Sequence, residues 1–285
     1  MKNLTACATD SIKIGANQDA CGLVNREQFR GVIVADGIGS HYKAEEAARF
    51  CVTCIQKKIE AHEQADALDF TALFQETESK LIEFVNTSFD DLEGIDRGKA
   101  FGTTLICAIE TDTEFLMAYS GNGSIWHLHG NFNSFSPARY LPWNSINLLN
   151  PHSVEEGGKA ALYRYLSIAN GCSTPTIIRI NKNASFGDII IISTDGIYSY
   201  DQVLVGKDPD GAIWVSGEES MNLLFQTLSR LIKDEMSSLN ESKLTYAIQS
   251  YLSLLKEKGV MYDDCTLGVI ISECALQYHQ RQMQD

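Results

Sequence analysis

The 285-residue chain is 44% hydrophobic and 21% charged, an ordinary globular composition that suits one large domain or two small ones. Its formal charge of −14 argues against a nucleic-acid partner, because binding a phosphate backbone needs clustered Lys and Arg. No apolar run approaches a membrane span, and MKNLTACATD lacks the basic start and long apolar stretch of a secretory signal. With eight cysteines in no paired framework, the expected setting is the cytoplasm.

The first strong element is GVIVADGIGS, residues 31–40, where five residues suited to a buried strand run into Asp36 and Gly37. A strand end is rigid, so a carboxylate there is held in place for chemistry. Asp-Gly is also a common turn dipeptide, and this segment alone leaves both readings open. Helical periodicity follows over 43–62 and 68–89. The first of these helices carries Cys51 and Cys54, which read as small buried residues, since no second Cys or His pair has zinc-like spacing. Strand patterns at 103–110, 114–120 and 124–129 are joined by TDTE and GNGS into an expected meander of hairpins. Residues 131–175 contain Pro137, Pro142, Pro151 and Pro175 and no clean period, and are expected to form a surface excursion or flap. Strands at 176–180 and 188–194, helices at about 218–235 and 241–258, and a strand at 265–272 complete the series. Helix pairs between blocks of antiparallel strands indicate an α+β fold, with two sheets packed face to face and helices on the outer faces. A single domain over 1–285 is the economical organisation.

The Asp36 arrangement recurs. DIIIISTDG delivers Asp195 and Gly196 from a strand, Asp263 and Asp264 precede CTLGVIIS, and Asp19 follows Asn17 and Gln18. Hard divalent cations take oxygen ligands and keep several waters, so carboxylates on rigid strand ends suit them. Clustered aspartates repel unless a cation neutralises them. Four independent turn or cap aspartates would leave the same pattern, and spacing alone does not separate the two.

The ordered set NQD (17–19), VADGIGS (34–40), FGTTL (101–105), YSGNGSIWHL (119–128), IISTDGIYS (191–199) and DDCTLGVII (263–271) resembles the type 2C metal-dependent protein phosphatases. The resemblance runs from residue 17 to 271 and implies a β-sandwich flanked by helix pairs, with two Mg²⁺ or Mn²⁺ ions at one edge. Asp36 matches the acid bridging both metals, and Gly37 a backbone-carbonyl ligand. Asp195, Asp263 and Asp19 match the remaining acidic ligands. The implied reaction is hydrolysis of phospho-Ser or phospho-Thr in a protein by a metal-bridging water, the carboxylates Asp36, Asp195 and Asp263 acting through it. FGTTL matches a strand motif taken as structural.

The pattern departs at several points. Gln18 stands where Glu is common. Ile14 stands where many members hold substrate phosphate with Arg, leaving Lys13 as a possible phosphate contact or a merely solvated lysine. Asn122 replaces an aspartate that helps hold a weaker third metal, so that site is doubtful, and GNG also reads as a plain tight turn. Ile38 stands where some members carry a His proposed as general acid. His41 is a possible proton donor, though a lone His at a helix start is commonly structural. Arg139, Lys159 and Arg164 lie in the expected flap and could meet substrate or only solvent. Two alternatives stand beside the enzyme: a catalytically weak regulatory or binding module, and a hydrolase of another phosphoester on the same fold. The substrate and the oligomeric state are not legible.

Overall fold

A computed structural model describes residues 3–12, 17–89, 92–129, 145–156, 159–169, 174–197, 202–208, 211–216, 219–235, 238–259, 261 and 263–282. Fourteen strands and five α-helices are described. In chain order they are β1 Leu4–Asp10, β2 Asp19–Asn25, β3 Arg30–Asp36, α1 Ala44–Glu60, α2 Phe70–Ser88, β4 Leu105–Glu110, β5 Glu114–Ser120 and β6 Ser124–His129. Then come β7 Ser145–Asn147, β8 Ser153–Glu156, β9 Lys159–Leu162, β10 Thr176–Asn181, β11 Asp188–Ser193, β12 Gln202–Asp208 and β13 Gly211–Ser216. The series ends with α3 Glu219–Glu235, α4 Glu241–Glu257, β14 Cys265–Ile271 and α5 Glu273–Gln282.

Two five-stranded antiparallel sheets carry the fold, ordered β1-β14-β11-β6-β7 and β10-β5-β4-β3-β2. Strand DIIIIS shows why they stack. Side chains alternate along a strand, so Ile190 and Ile192 enter the layer between the sheets while Ile189 and Ile191 face the helices above. Each such isoleucine contributes roughly 2–3 kcal/mol by leaving water. Helices α3 and α4 cover one sheet through Leu224, Phe225, Leu228, Ile248, Tyr251 and Leu252. On the other sheet, α1 buries Ala44, Ala47, Ala48, Cys51, Val52, Ile55 and Ile59, a stripe at helical spacing. It lies so close that a Cβ on Gly22 of β2 would meet Val52 Cγ1 at 2.9 Å. Asp69 caps α2 by accepting from the N–H groups of Thr71 and Ala72, and Asn240 caps α4 through Lys243. The four layers match the expected architecture.

Two expectations need correction. The GNGS turn does not continue a meander: β4 and β5 pair, but β6 pairs with β11 and β7 in the opposite sheet. Gly121 and Gly123, at φ 112° and 124°, let the chain turn out of one sheet and into the other. Cys54 is only half-buried, whereas Cys51 is buried as expected. Within the 131–175 stretch, the described residues are joined to the sandwich: β7 extends a sheet, β8 pairs with β9, and Leu149, Leu166 and Ile168 are buried. Strands β1, β2, β12 and β13 and helix α5 were not expected. Among the described residues, no helix is long and apolar enough to cross a membrane.

Candidate metal centre

The four strand-end aspartates lie at one end of the sandwich, contributed by both sheets. Asp19 opens β2 and Asp36 closes β3, and the two face each other as cross-strand partners. From the other sheet, Asp195 follows β11 in a short 3₁₀ turn, and Asp263 stands two residues before β14. Asp19 is buried at 4% exposure, Asp36 and Asp195 are half-buried, and Asp263 is exposed.

Backbone and hydroxyl contacts hold this set. Thr104 Oγ1 accepts from Asp36 N at 3.0 Å, while Asp36 O accepts from Thr104 N at 2.8 Å and Thr103 Oγ1 at 2.9 Å. FGTTL is thus the buttress of Asp36. Phe101, which opens this motif, is buried with a left-handed φ of 49° and is tied by its N–H to Tyr42 O at 2.8 Å. Gly37 has no room for a side chain: a Cβ would lie 2.7 Å from the backbone of Ala44 and 2.8 Å from Gln18 O. Thr194 Oγ1 donates to Asp19 Oδ2 at 2.8 Å and accepts from Thr266 N at 3.0 Å. Asn122 Nδ2 donates to Asp195 Oδ2 at 2.6 Å. The Asn122 turn is itself held by His152, whose Nδ1 accepts from Gly121 N at 3.2 Å and whose Nε2 meets Thr176 Oγ1 at 2.8 Å. That bonding assigns a neutral imidazole with its proton on Nε2. Burial, helped by Arg164, pushes its pKa down to about 4.

The acids interact strongly. Burial pushes Asp19 up to about 7, against the opposing hydrogen bond from Thr194. Asp36 rises well above the usual carboxylate range through burial and then the charges of Asp19 and Asp195. Asp195 rises through burial and then Asp263, with the Asn122 hydrogen bond opposing. Asp19 Oδ1 is buried without a hydrogen-bond partner. An orphaned carboxylate oxygen among mutually repelling acids is a donor set that fits a hard cation. Among the described residues, no three acid, His or Cys side chains stand as a finished metal-ligating group. The convergence is one of neighbouring pairs.

Asp264 takes a different part from Asp263. It is buried, and its carboxylate accepts from Gln18 N at 2.7 Å and Ile12 N at 3.3 Å, pinning the segment that leads to Asp19. His41 makes no hydrogen bond to any of the acids. Its ring packs edge-on to Tyr165 at 5.5 Å and over Gly102, and its Nδ1 is buried without a partner. Burial holds its pKa below the ordinary value. Arg164 lies over the Tyr163 ring at 5.9 Å. Lys13, Ile14 and Arg139 lie outside the described residues, as does the side chain of Lys159. Sequence reading missed Thr194 and His152, and it left Thr103 and Thr104 without a stated contact. The hydroxyl of Thr194, directly before Asp195 and Gly196, was the only available signal.

Comparison with known proteins agrees with this fold. The fold resembles that of the S. agalactiae serine/threonine phosphatase, at 16% identity and TM-score 0.65 over 95% of this chain and 100% of that one. It also resembles serine/threonine phosphatase Stp1 from Staphylococcus aureus, at 15% identity and TM-score 0.63 over 95% of each chain. The catalytic domain of serine threonine protein phosphatase PstP, solved in complex with two manganese ions, aligns at 14% identity and TM-score 0.56 over 95% of this chain and 98% of that one. No curated protein sequence matches the chain. The protein phosphatase 2C family matches residues 13–242, most of the sequence, and the chain belongs to that family.

Proposed function

We propose that this chain is an enzyme that hydrolyses phosphoserine and phosphothreonine monoesters in proteins, as one catalytic domain over residues 1–285. It would use two Mg²⁺ or Mn²⁺ ions held by Asp19, Asp36, the Gly37 carbonyl, Asp195 and Asp263. The observation that carries this is Asp36 set between Asp19 and Asp195, whose charges both act on it, with Asp19 Oδ1 buried and without a hydrogen-bond partner. Bound there, a pair of divalent cations supplies an activated water and positive charge for the phosphoryl oxygens. The chain's own part is positioning: Thr103 and Thr104 fix Asp36, Thr194 orients Asp19, and Asn122 steers Asp195. Such partners commonly matter 10- to 100-fold for affinity or activity, an order-of-magnitude figure. Ile38 offers no proton beside Asp36, and His41 is the nearest candidate donor in sequence. The described cysteines are free, which agrees with a cytoplasmic setting.

A second reading, a regulatory module that binds without rapid turnover, is favoured by one observation. Asn122 spends its amide on Asp195 and brings no charge to the site. The test is p-nitrophenyl phosphate hydrolysis with and without Mn²⁺, in wild type and Asp36→Asn. Manganese-dependent turnover lost in the variant supports the enzyme. Folded protein that binds Mn²⁺ yet turns nothing over supports the module.

A further inference from the structure

One buried carboxylate stands apart from the acidic centre yet is joined to it by a chain of hydrogen bonds. Glu78 is 1% exposed, on the face of α2 that also buries Phe74, Leu81 and Val85, a stripe at helical spacing. A carboxylate in such surroundings is costly unless polar groups meet it. Glu78 Oε1 accepts from Ser167 N at 3.1 Å, a residue 89 positions away. Leu166, beside it, is fully buried and pairs with Thr103 in both directions, Thr103 N donating to Leu166 O at 2.9 Å and Leu166 N to Thr103 O at 3.0 Å. Thr103 also bridges Gly37, and its hydroxyl donates to Asp36 O at 2.9 Å. Ile38 N donates to Gly102 O at 3.0 Å, so the strip 102–104 clasps residues 36–38. The path therefore runs from α2 through Ser167 and Leu166 to Thr103, and from there to the backbone of Asp36 and Gly37.

We propose that Glu78 is a positioning residue of the metal centre, a role that rests on Asp36 and Gly37 being metal ligands as proposed above. By holding Ser167 it keeps Leu166 against Thr103, and Thr103 fixes the backbone that presents the Asp36 carboxylate and the Gly37 carbonyl. Glu78 itself touches neither cation nor substrate. Without its carboxylate, Ser167 N loses that acceptor at a site only 1% exposed, where water does not replace it. The 166–168 segment is then untied from α2, and Thr103 is held from one side less firmly. Part of the cation-binding free energy goes into ordering Asp36 and Gly37, so affinity falls. The coupling is reciprocal: a cation that fixes Asp36 and Gly37 also steadies Leu166 and Ser167.

The test is calorimetric titration of the full chain with Mn²⁺, for wild type, Glu78→Gln, Glu78→Leu and Asp188→Ala. Glutamine keeps an oxygen for Ser167 N and should bind within about twofold of wild type, whereas leucine should raise Kd by about 3- to 30-fold, the span of coupling carried through packed contacts. Asp188→Ala, which removes buried bonds at the far end of β11, controls for lost stability alone and should bind as wild type does. Hydrogen exchange on wild type decides the matter whatever the folding of the variants: Mn²⁺ should slow exchange of the Leu166 and Ser167 amides. Wild type that binds no Mn²⁺ would overturn the metal reading and this role with it. Mn²⁺ binding in wild type with equal affinity in Glu78→Leu, equal weakening by Asp188→Ala, or unchanged exchange at Leu166 and Ser167 would overturn the role of Glu78 alone.

Discussion

Replacing Thr194 by Val keeps the β-branched shape and removes one hydroxyl that serves two buried partners. Asp19 Oδ2 loses its donor at 2.8 Å, beside an Oδ1 that already has none, and Thr266 N loses its acceptor at 3.0 Å. Thr266 has no exposed surface, so water does not replace the lost bond. A buried hydrogen bond to a carboxylate contributes about 1.5–3 kcal/mol, and an orphaned amide costs about 1–3. The sum is roughly 3–6 kcal/mol, which at about 2 °C per kcal/mol for a chain of this size lowers Tm by about 6–12 °C. The loss should depend on pH in a definite direction. The Asp19 pKa rises from 3.8 to about 7, chiefly through burial, and the Thr194 bond opposes that rise by favouring the charged form. Removing the bond therefore costs most where Asp19 is ionised, above about pH 7. Thermal scans in chelator at pH 5.5 and 8.5, for wild type, Thr194→Val and Thr194→Ser, test this. Serine keeps the hydroxyl and should recover most of the loss. A valine variant melting within about 1 °C of wild type at pH 8.5, or losing equally at both pH values, would refute the reasoning.

Three further outcomes are expected. The metal-free protein should lose stability as pH rises from about 4 to 7, because the folded state retains the Asp19 proton that the unfolded chain releases. Asp19 alone accounts for something of order 4 kcal/mol across that window, and Mn²⁺ at pH 8 should restore it in a thermal-shift titration. Asn122→Asp sets a second acid against Asp195 where an amide now donates at 2.6 Å, costing the chelated protein about 1–2 kcal/mol at pH 8, while its Tm gain on adding Mn²⁺ should exceed that of wild type. Asp188→Ala, at the far end of β11 from Asp195, strips partners from His127 Nε2 and Asn183 N. It should cost about 3 kcal/mol in a urea midpoint yet leave turnover per folded molecule unchanged.

What sequence made visible depended on how far the cause of each feature reaches. DIIIIS and GVIVAD announce strands because burial on both faces demands continuous apolar residues, and the four long helices announce themselves by their stripes. Asp36, Asp195 and Asp263 could be named because each follows or precedes an apolar strand, and Asp19 because NQD takes its place in the ordered set of motifs. Their supports could not, since Thr104 lies 68 residues from Asp36 and Thr194 lies 175 from Asp19. GNGS misled because glycines that close a hairpin look the same as glycines that carry a chain between sheets. Strand β1, LTACATD, lacks large β-formers, and DACGLVN is broken by a glycine that makes sense only with Val52 packed upon it. Asp264 read as a near neighbour of a ligand, but its role is to hold the N–H groups of Ile12 and Gln18, some 250 residues earlier.

The placement of β14 between β1 and β11 sets an order of events during synthesis. Strand β1 emerges first, yet its partner in the sheet, Cys265–Ile271, is among the last strands made. Such distant pairing is slow to form and must await the later chain. Asp263 arrives on that same segment, two residues before the strand that closes the sheet. The acidic centre therefore comes into being only when the sandwich does. A partly made or half-folded chain therefore has no complete acidic cluster until assembly is finished.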